Sequence, residues 1–392
     1  MKTIYLDTAA STHLRHEVID VMLPHLTNSY GNPSSMHHVG RNANAVLEDA
    51  RSSIARSLHI SPREVFFTGS GTEANNLALY GIAHAHRARG THILLSTIEH
   101  PSILRAGERL AQEGFTVEYI PVDRCGSIDI EDTLARTRPD TILISVMLAN
   151  NEIGTIEPIP ELMRALLEKF PEKNRPFLHT DACQATGQIS INPRDLGVDL
   201  MTLNSSKIYG PKGVGMLYVR EGIALDPLIV GGTQEHGKRA GTENVPSIIG
   251  FVHALSLSLQ EQAEYQERLT TLRDEFIHML ETKLPQLILN GHPHKRLPNN
   301  IHLSLPYIEG ESLVLMLDTY GICASTGSAC SAHDLLPSHV LRAIGQSLEV
   351  IHGSLRFTLG RDTTLEDLTY TTETLAVCAE RLLAMSPLPL HL

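Results

Sequence analysis

A lysine placed directly after a short apolar run is the most reactive setting in the chain: Met201-Thr202-Leu203-Asn204-Ser205-Ser206-Lys207-Ile208-Tyr209-Gly210-Pro211-Lys212-Gly213. Small hydroxyl and amide side chains precede Lys207 and a tight Pro-Gly turn follows it, which suits covalent catalysis by an amine beside a phosphate. Lys212, inside that turn, reads as a surface lysine. Upstream, Phe177-Leu178-His179-Thr180-Asp181-Ala182-Cys183-Gln184 sets Asp181 at the end of an apolar run, where burying a carboxylate is costly without a compensating cation. A protonated pyridine nitrogen is one such cation, and Gln184 is within reach of a phenolic oxygen on the same ring. The plainer alternative has Asp181 capping the next helix.

Further strand ends repeat the pattern. Phe66-Phe67-Thr68-Gly69-Ser70-Gly71-Thr72-Glu73 reads as strand, Gly/Ser turn and helix start, placing the backbone N–H groups near Gly71 and the Thr72 hydroxyl where a phosphate binds. It also reads as a plain glycine turn with Thr72 as a helix cap. His100 stands at the end of Thr97-Ile98-Glu99-His100-Pro101, either structural or facing a ligand. Asn150 and Asn151 follow Thr141–Met147 and serve equally well as turn formers or ligand contacts.

The elements that must position these groups follow a βαβ rhythm. Val65–Thr68, His92–Ser96, Thr116–Ile120, Thr141–Met147, Phe177–Thr180, Met201–Leu203 and Gly215–Val219 read as strands. Helical patterns at Glu73–Arg87, Pro101–Glu113 and Ile159–Phe170 separate most of them. The expected fold class is therefore α/β, a mostly parallel seven-stranded sheet covered on both faces, with ligands beyond the carboxyl ends of its strands. After Val245 a long helical stretch, Pro246–Leu284, gives way to shorter strands (Asn300–Leu305, Gly353–Thr358) and helices up to Leu383, the pattern of a smaller α+β domain. The expected division is a large domain over 14–250 and a small one made of 1–13 and 251–392. Ala324–Ala332, ASTGSACSA, has the composition of a mobile loop.

The chain has 392 residues and 42% hydrophobic content, enough for a large core with a second one beside it. Its 44 acidic against 32 basic side chains give a net charge of −12, which argues against a general nucleic-acid or anionic-membrane surface. The first residues carry no apolar signal core, and no apolar run approaches the ~20 residues needed to span a bilayer, so a cytoplasmic protein is expected. Five cysteines without a CxxC pair read as reduced thiols rather than disulfide staples. Cys330 differs from the rest because its Gly/Ser/Ala setting offers little apolar burial. Cys323, in a strand after Tyr320-Gly321-Ile322, is expected to be buried. No metal site is expected.

With these residues in place the chain resembles the cysteine desulfurases, within the class V aminotransferase family of pyridoxal-phosphate enzymes of fold type I. The resemblance spans almost the full length. It rests on the segments above together with Leu6-Asp7-Thr8-Ala9-Ala10, Gly31-Asn32-Pro33-Ser34-Ser35, Arg239-Ala240-Gly241-Thr242-Glu243-Asn244, Gly327-Ser328-Ala329-Cys330-Ser331 and Leu355-Arg356-Phe357-Thr358-Leu359-Gly360.

The resemblance implies that Lys207 is the Schiff-base lysine, that Asp181 partners the pyridine nitrogen and that Gln184 donates to the ring oxygen. His100 stacks on the ring and passes protons. Gly71, Thr72 and Ser206 hold the phosphate, joined by Thr242 from a second subunit, which implies a homodimer. Asn151 binds near the cofactor oxygen and the substrate, and Arg356 takes the substrate α-carboxylate through a two-pronged contact. Cys330 is the catalytic cysteine, on a loop resembling the longer form that delivers sulfur outward. Its thiolate attacks the sulfur of L-cysteine, leaving a persulfide on Cys330 and releasing L-alanine. The sulfur then passes to an acceptor protein, an iron–sulfur scaffold or a tRNA-thiolation partner.

Two positions depart from the family pattern. Ser206 stands where a histidine usually precedes the lysine, and Asn204 where a phosphate-binding serine is common; both still hydrogen-bond. The C-terminal Met385–Leu392 is shorter than the docking tail of relatives that serve scaffold proteins. Competing readings are selenocysteine lyase or another reaction of the same family, with Cys330 a bystander, and a degenerate, non-catalytic binding subunit.

Overall fold

The structure, a computed structural model, describes residues 2–327 and 337–385. A short strand, β1 (Ile4–Tyr5), leads into helices α1 (His16–Thr27) and α2 (His38–Ser57). Then follow β2 (Val65–Thr68), α3 (Gly71–Ala85), β3 (His92–Ser96), α4 (Pro101–Gln112), β4 (Thr116–Ile120), α5 (Ile130–Arg136), β5 (Thr141–Ser145), α6 (Ile159–Lys169), β6 (Phe177–Asp181), α7 (Pro193–Leu196), β7 (Leu200–Asn204) and β8 (Gly215–Val219). These strands form one seven-stranded sheet in the order β2-β8-β7-β6-β5-β3-β4. Its central pairs are parallel, and β8 runs antiparallel to both neighbours.

The local reasons are plain. β3, β5 and β8 are buried along their whole length, as continuous Val/Ile/Leu runs are when helices cover both faces of a parallel sheet. α4 buries Ile103, Ala106, Gly107 and Leu110, the one-sided spacing of a helix lying on that sheet. Each large apolar side chain taken from water there contributes roughly 1.5–3 kcal/mol.

The second unit gathers on a three-stranded antiparallel sheet in the order β12-β10-β9, made of β9 (Ile288–Leu289), β10 (Asn300–Ser304) and β12 (Ser354–Thr358). α8 (Val245–Gln260), α9 (Gln262–Lys283), α10 (Gly310–Thr319), β11 (Ile322–Cys323), α11 (His339–Ala343), α12 (Leu348–His352) and α13 (Leu365–Met385) complete the described elements. Ile4 and Leu6 are buried in this unit's core with Leu269, Phe276 and Phe357, and β1 pairs in parallel with β11.

Sequence and structure differ at the long helical stretch. The expected boundary after residue 250 falls inside α8, whose Ile248, Phe251, Ala254 and Leu255 are packed in the large-domain core. The helix ends at Glu261, which Arg15 grips through both carboxylate oxygens at 2.8 and 2.9 Å, and α9 then departs to pack on α13. Two apolar faces serving two cores require this break, so the packing places the boundary at Glu261. Among the described residues no helix is long and apolar enough to cross a membrane.

A buried ion pair ties α2 to the segment leading toward Thr242. Arg51 Nη1 and Nη2 meet Glu235 at 2.9 and 2.8 Å, with side chains 3% and 1% exposed, and Glu235 also accepts the amide of Phe67 in β2. Removing one partner leaves a buried charge unanswered, so Arg51→Met is expected to cost about 3–5 kcal/mol. Urea denaturation followed by circular dichroism measures this, and Arg51→Met combined with Glu235→Leu should recover part of the loss.

Candidate active site

The carboxyl ends of the sheet strands open onto a cavity of about 420 Å³. Its wall brings together Gly71, Thr72, His100, Asn151, Asp181, Gln184, Lys207 and Arg356 from separate elements. The sheet alone accounts for most of this convergence: Asp181 ends β6, Lys207 follows β7 in a single 3₁₀ turn, and His100 caps α4 just beyond β3.

Each group is held by identifiable partners. Lys207 Nζ donates to the carbonyls of Ala9 and Ala10, both at 2.7 Å. Gln184 Nε2 donates to the same Ala9 carbonyl at 3.0 Å. Asp181 accepts from the Cys183 amide at 2.9 Å and from Asn75 Nδ2 at 2.7 Å. His100 Nδ1 accepts the Ser102 amide at 3.1 Å and lies 2.8 Å from Ser102 Oγ, which leaves Nε2 to the cavity. Burial holds the His100 imidazole below its ordinary pKa.

The two asparagines divide their work. Asn150 is a turn former: its Oδ1 accepts the amides of Glu152 and Ile153, and its Nδ2 donates to Ile98 O at 2.9 Å. Asn151 lines the cavity, and its carbonyl receives Arg356 Nη1 at 3.0 Å. Arg356 comes from β12 of the smaller unit, and its Nη2 donates to Asp7 at 2.9 Å. Those bonds use two of five guanidinium hydrogens, leaving one on each Nη for a bidentate carboxylate contact.

The residues present fit pyridoxal phosphate. α3 points its first turn at the cavity, where the amides of Gly71 and Thr72 have no intrahelical acceptor and the helix dipole favours an anion. A Cβ at Gly71 would stand 2.9 Å from Cys183 Sγ and 3.2 Å from Asn204 Cβ, so only glycine keeps that end open. A carboxylate, an amine and a helix N-terminus thus line one space, the kinds of group that a pyridine nitrogen, an aldehyde and a phosphate call for.

Two expected residues among those described are not on this wall. Asn204 lines the cavity rather than Ser206, whose carbonyl instead accepts the amide and hydroxyl of Thr12, both at 3.0 Å. Thr242 is exposed, in a segment away from the cavity of its own chain. Cys330 lies outside the described residues. Cys323, expected to be buried, is only partly so, because β11 is an edge pairing of two residues. Several wall groups had no signal that sequence reasoning used. Asn75 and Ser102 sit on helix faces, the Ala9 and Ala10 carbonyls belong to backbone, and Glu152 hides in the Asn-Asn turn.

Comparison with known proteins places the chain among relatives of one kind. The sequence model of the Aminotransferase class-V family matches residues 4–370. A protein of Dictyoglomus turgidum named cysteine desulfurase IscS is 49% identical over 386 residues, covering 98% of this chain and 97% of its own. Its namesake from Methanosarcina thermophila is 46% identical over 387 residues, covering 99% and 94%. A solved NifS-like protein superposes with a TM-score of 0.91 at 34% identity, covering 97% of this chain and all 100% of that one.

Glu152 is a strained charge at the cavity wall. It is 4% exposed, and burial pushes its carboxyl up to about 7, against the opposing pull of the Ser338 hydroxyl at 2.5 Å and of Arg356. Gly327 packs against it: a Cβ there would come within 2.9 Å of Glu152 Oε2 and 2.5 Å of His302 Nε2. A folded pKa raised above the ordinary 4.5 favours the protonated fold, so this contribution to stability is whole below about 4.5 and is lost as pH rises through about 7. Glu152→Gln keeps the acceptor for Ser338 without the charge. The melting temperature of wild type relative to this variant should therefore fall between those pH values, by thermal scans of both proteins across the range.

Proposed function

The chain belongs to the class V aminotransferase family, and from that premise we infer that it is a pyridoxal-phosphate-dependent cysteine desulfurase, converting L-cysteine to L-alanine and retaining the sulfur. The observation that carries this reading is the single cavity on which Lys207, Asp181, His100 and Arg356 converge from two units of the fold. Bound there, pyridoxal phosphate supplies an electron sink that makes the substrate Cα–H acidic and the Cβ–S bond breakable.

The chain's own residues do the rest. Gly71 and Thr72 bind the phosphate through the start of α3, with Asn204 beside them. Asp181 keeps the ring nitrogen protonated, and Gln184 donates to the ring oxygen. Lys207 would hold the cofactor covalently, and its amine is the group placed to move the substrate Cα proton. Arg356 fixes the substrate carboxylate beside Asn151, so that the Cα–H and Cβ–S bonds are presented in one orientation. The Cys330 thiolate takes the substrate sulfur as the S–S bond forms and the Cβ–S bond breaks. The electrons left on carbon take up protons, and alanine departs.

The finer parts of the reading are the homodimer, the acceptor and the compartment. Thr242, exposed in the single chain, reaches the phosphate of a second subunit; Leu23 and Leu26 on α1, 55% and 61% exposed, and Val230, 84% exposed, are surfaces for such a contact. The persulfide passes to a sulfur-acceptor protein of iron–sulfur assembly or tRNA thiolation, in the cytoplasm.

Incubation with cysteine should yield alanine and a persulfide that mass spectrometry maps to Cys330. Cys330→Ala should reduce sulfide release in the presence of thiol to background, and Lys207→Ala should abolish the visible absorption of the bound cofactor. Persulfide at Cys323, or full activity in Cys330→Ala, would sink the assignment.

A further inference from the structure

A line of hydrogen bonds crosses the cavity wall from Asp181 to His100, and donor chemistry assigns the direction of every one. Asn75, 1% exposed on α3, places Nδ2 at 2.7 Å from Asp181 Oδ2 and 2.9 Å from Ser102 Oγ. A carboxylate oxygen accepts, so the amide atom at this corner is the nitrogen, and its two hydrogens go one to each partner. Ser102 Oγ, already accepting, gives its single hydrogen to His100 Nδ1 at 2.8 Å. The same Nδ1 accepts the backbone N–H of Ser102 at 3.1 Å. A ring nitrogen that receives two donors holds no proton. The proton of the neutral imidazole therefore sits on Nε2, the atom turned to the cavity.

We propose that Asn75 and Ser102 are positioning residues that hold His100 as its Nε2–H tautomer, so that it meets the cofactor and substrate as a hydrogen-bond donor and leaves base chemistry to Lys207. The inference rests on the proposed placement of the cofactor, with its ring nitrogen at Asp181 and His100 against its ring. One amide would then couple the carboxylate at the ring nitrogen to the histidine against the ring, since any rotation of Asn75 breaks both contacts together. Protonation of Nδ1 would set two donors, its own N–H and that of Ser102, against each other. The charged groups around the imidazole agree with a neutral ring: Lys207 and His339 oppose its protonation in the same sense as burial, and Asp181 alone favours it.

The test is long-range ¹H–¹⁵N correlation of the holoenzyme labelled at histidine ring nitrogens, with the His100 signals assigned by their loss in His100→Asn. Wild type and Ser102→Thr, which keeps the hydroxyl, should both show an unprotonated Nδ1 and a protonated Nε2. Ser102→Ala removes the 2.8 Å hydroxyl contact and leaves only the longer 3.1 Å backbone N–H on Nδ1, so it should show mixed tautomers and a roughly tenfold lower kcat for alanine formation, with KM for cysteine within about twofold, the effect of losing one orienting hydrogen bond. The same spectra after removal of the cofactor should give the same tautomers, a result independent of whether the protein is a desulfurase. A protonated Nδ1 in wild type, unchanged spectra in Ser102→Ala, or mixed tautomers in Ser102→Thr would overturn the proposal.

Discussion

The site is built against one short piece of backbone, Asp7–Ala10. Its Ala9 and Ala10 carbonyls receive the Lys207 ammonium, Ala9 also receives Gln184, and Asp7 takes Arg356. The segment is itself clamped to β12, where Thr8 Oγ1 donates to the carbonyls of Thr358 and Leu359 and the Ala9 amide donates to Thr358 Oγ1. It thus belongs to the smaller unit by packing and to the larger unit by function. A lysine from the large sheet and an arginine from the small one share a reference only because this turn lies between them. The Asp7–Arg356 pair has side chains 18% and 4% exposed, so it is partly shielded from solvent and worth more than a surface ion pair.

Charge around the cavity follows the same economy of placement. Asp181 is answered by donors on both oxygens, whereas Glu99 is fully buried and is pushed well above the ordinary carboxyl range by that burial and by Asp181 nearby. His179, two residues before Asp181 on β6, is driven down to about 4 by burial, although Asp181 pulls the other way. The result is a wall in which buried acids and imidazoles next to Asp181 are neutral.

How much of this was legible in the sequence depends on which atoms do the work. Lys207, Asp181 and His100 were legible because strand ends are visible as the last residue of an apolar run, and an open α/β sheet gathers such ends on one edge. Asn75 and Ser102 were not, since Asn75 lies one turn inside α3, Ser102 is an ordinary residue in the first turn of α4, and the two meet only by the packing of α3 against α4. Backbone carbonyls such as those of Ala9 and Ala10 leave no trace in residue types. The domain boundary moved for a similar reason. Periodicity carries through Glu261 unbroken, and only the two separate cores reveal that one apolar face ends there. Asn150 and Asn151 could not be separated by type, because the same amide forms a turn in one position and lines a cavity in the next.

The cavity also shows why a desulfurase of this fold needs a thiol from elsewhere. Cys183 lies on the wall itself, yet burial, reinforced by the Asp181 carboxylate, pushes its thiol well above the ordinary range, and its Sγ lies against the Thr202 carbonyl. Cys125, Cys323 and Cys378 are likewise raised by burial. A nucleophile for sulfur must be a thiolate near neutral pH, which none of these four environments favours. Burial, with the Asp181 carboxylate adding to it, therefore keeps the nearest cysteine a thiol. A wall thiol reactive enough to compete would divert sulfur into a buried persulfide with no route out. A reactive cysteine on a separate segment would resolve the conflict, since the electrostatics that serve the cofactor would not also have to activate the thiol.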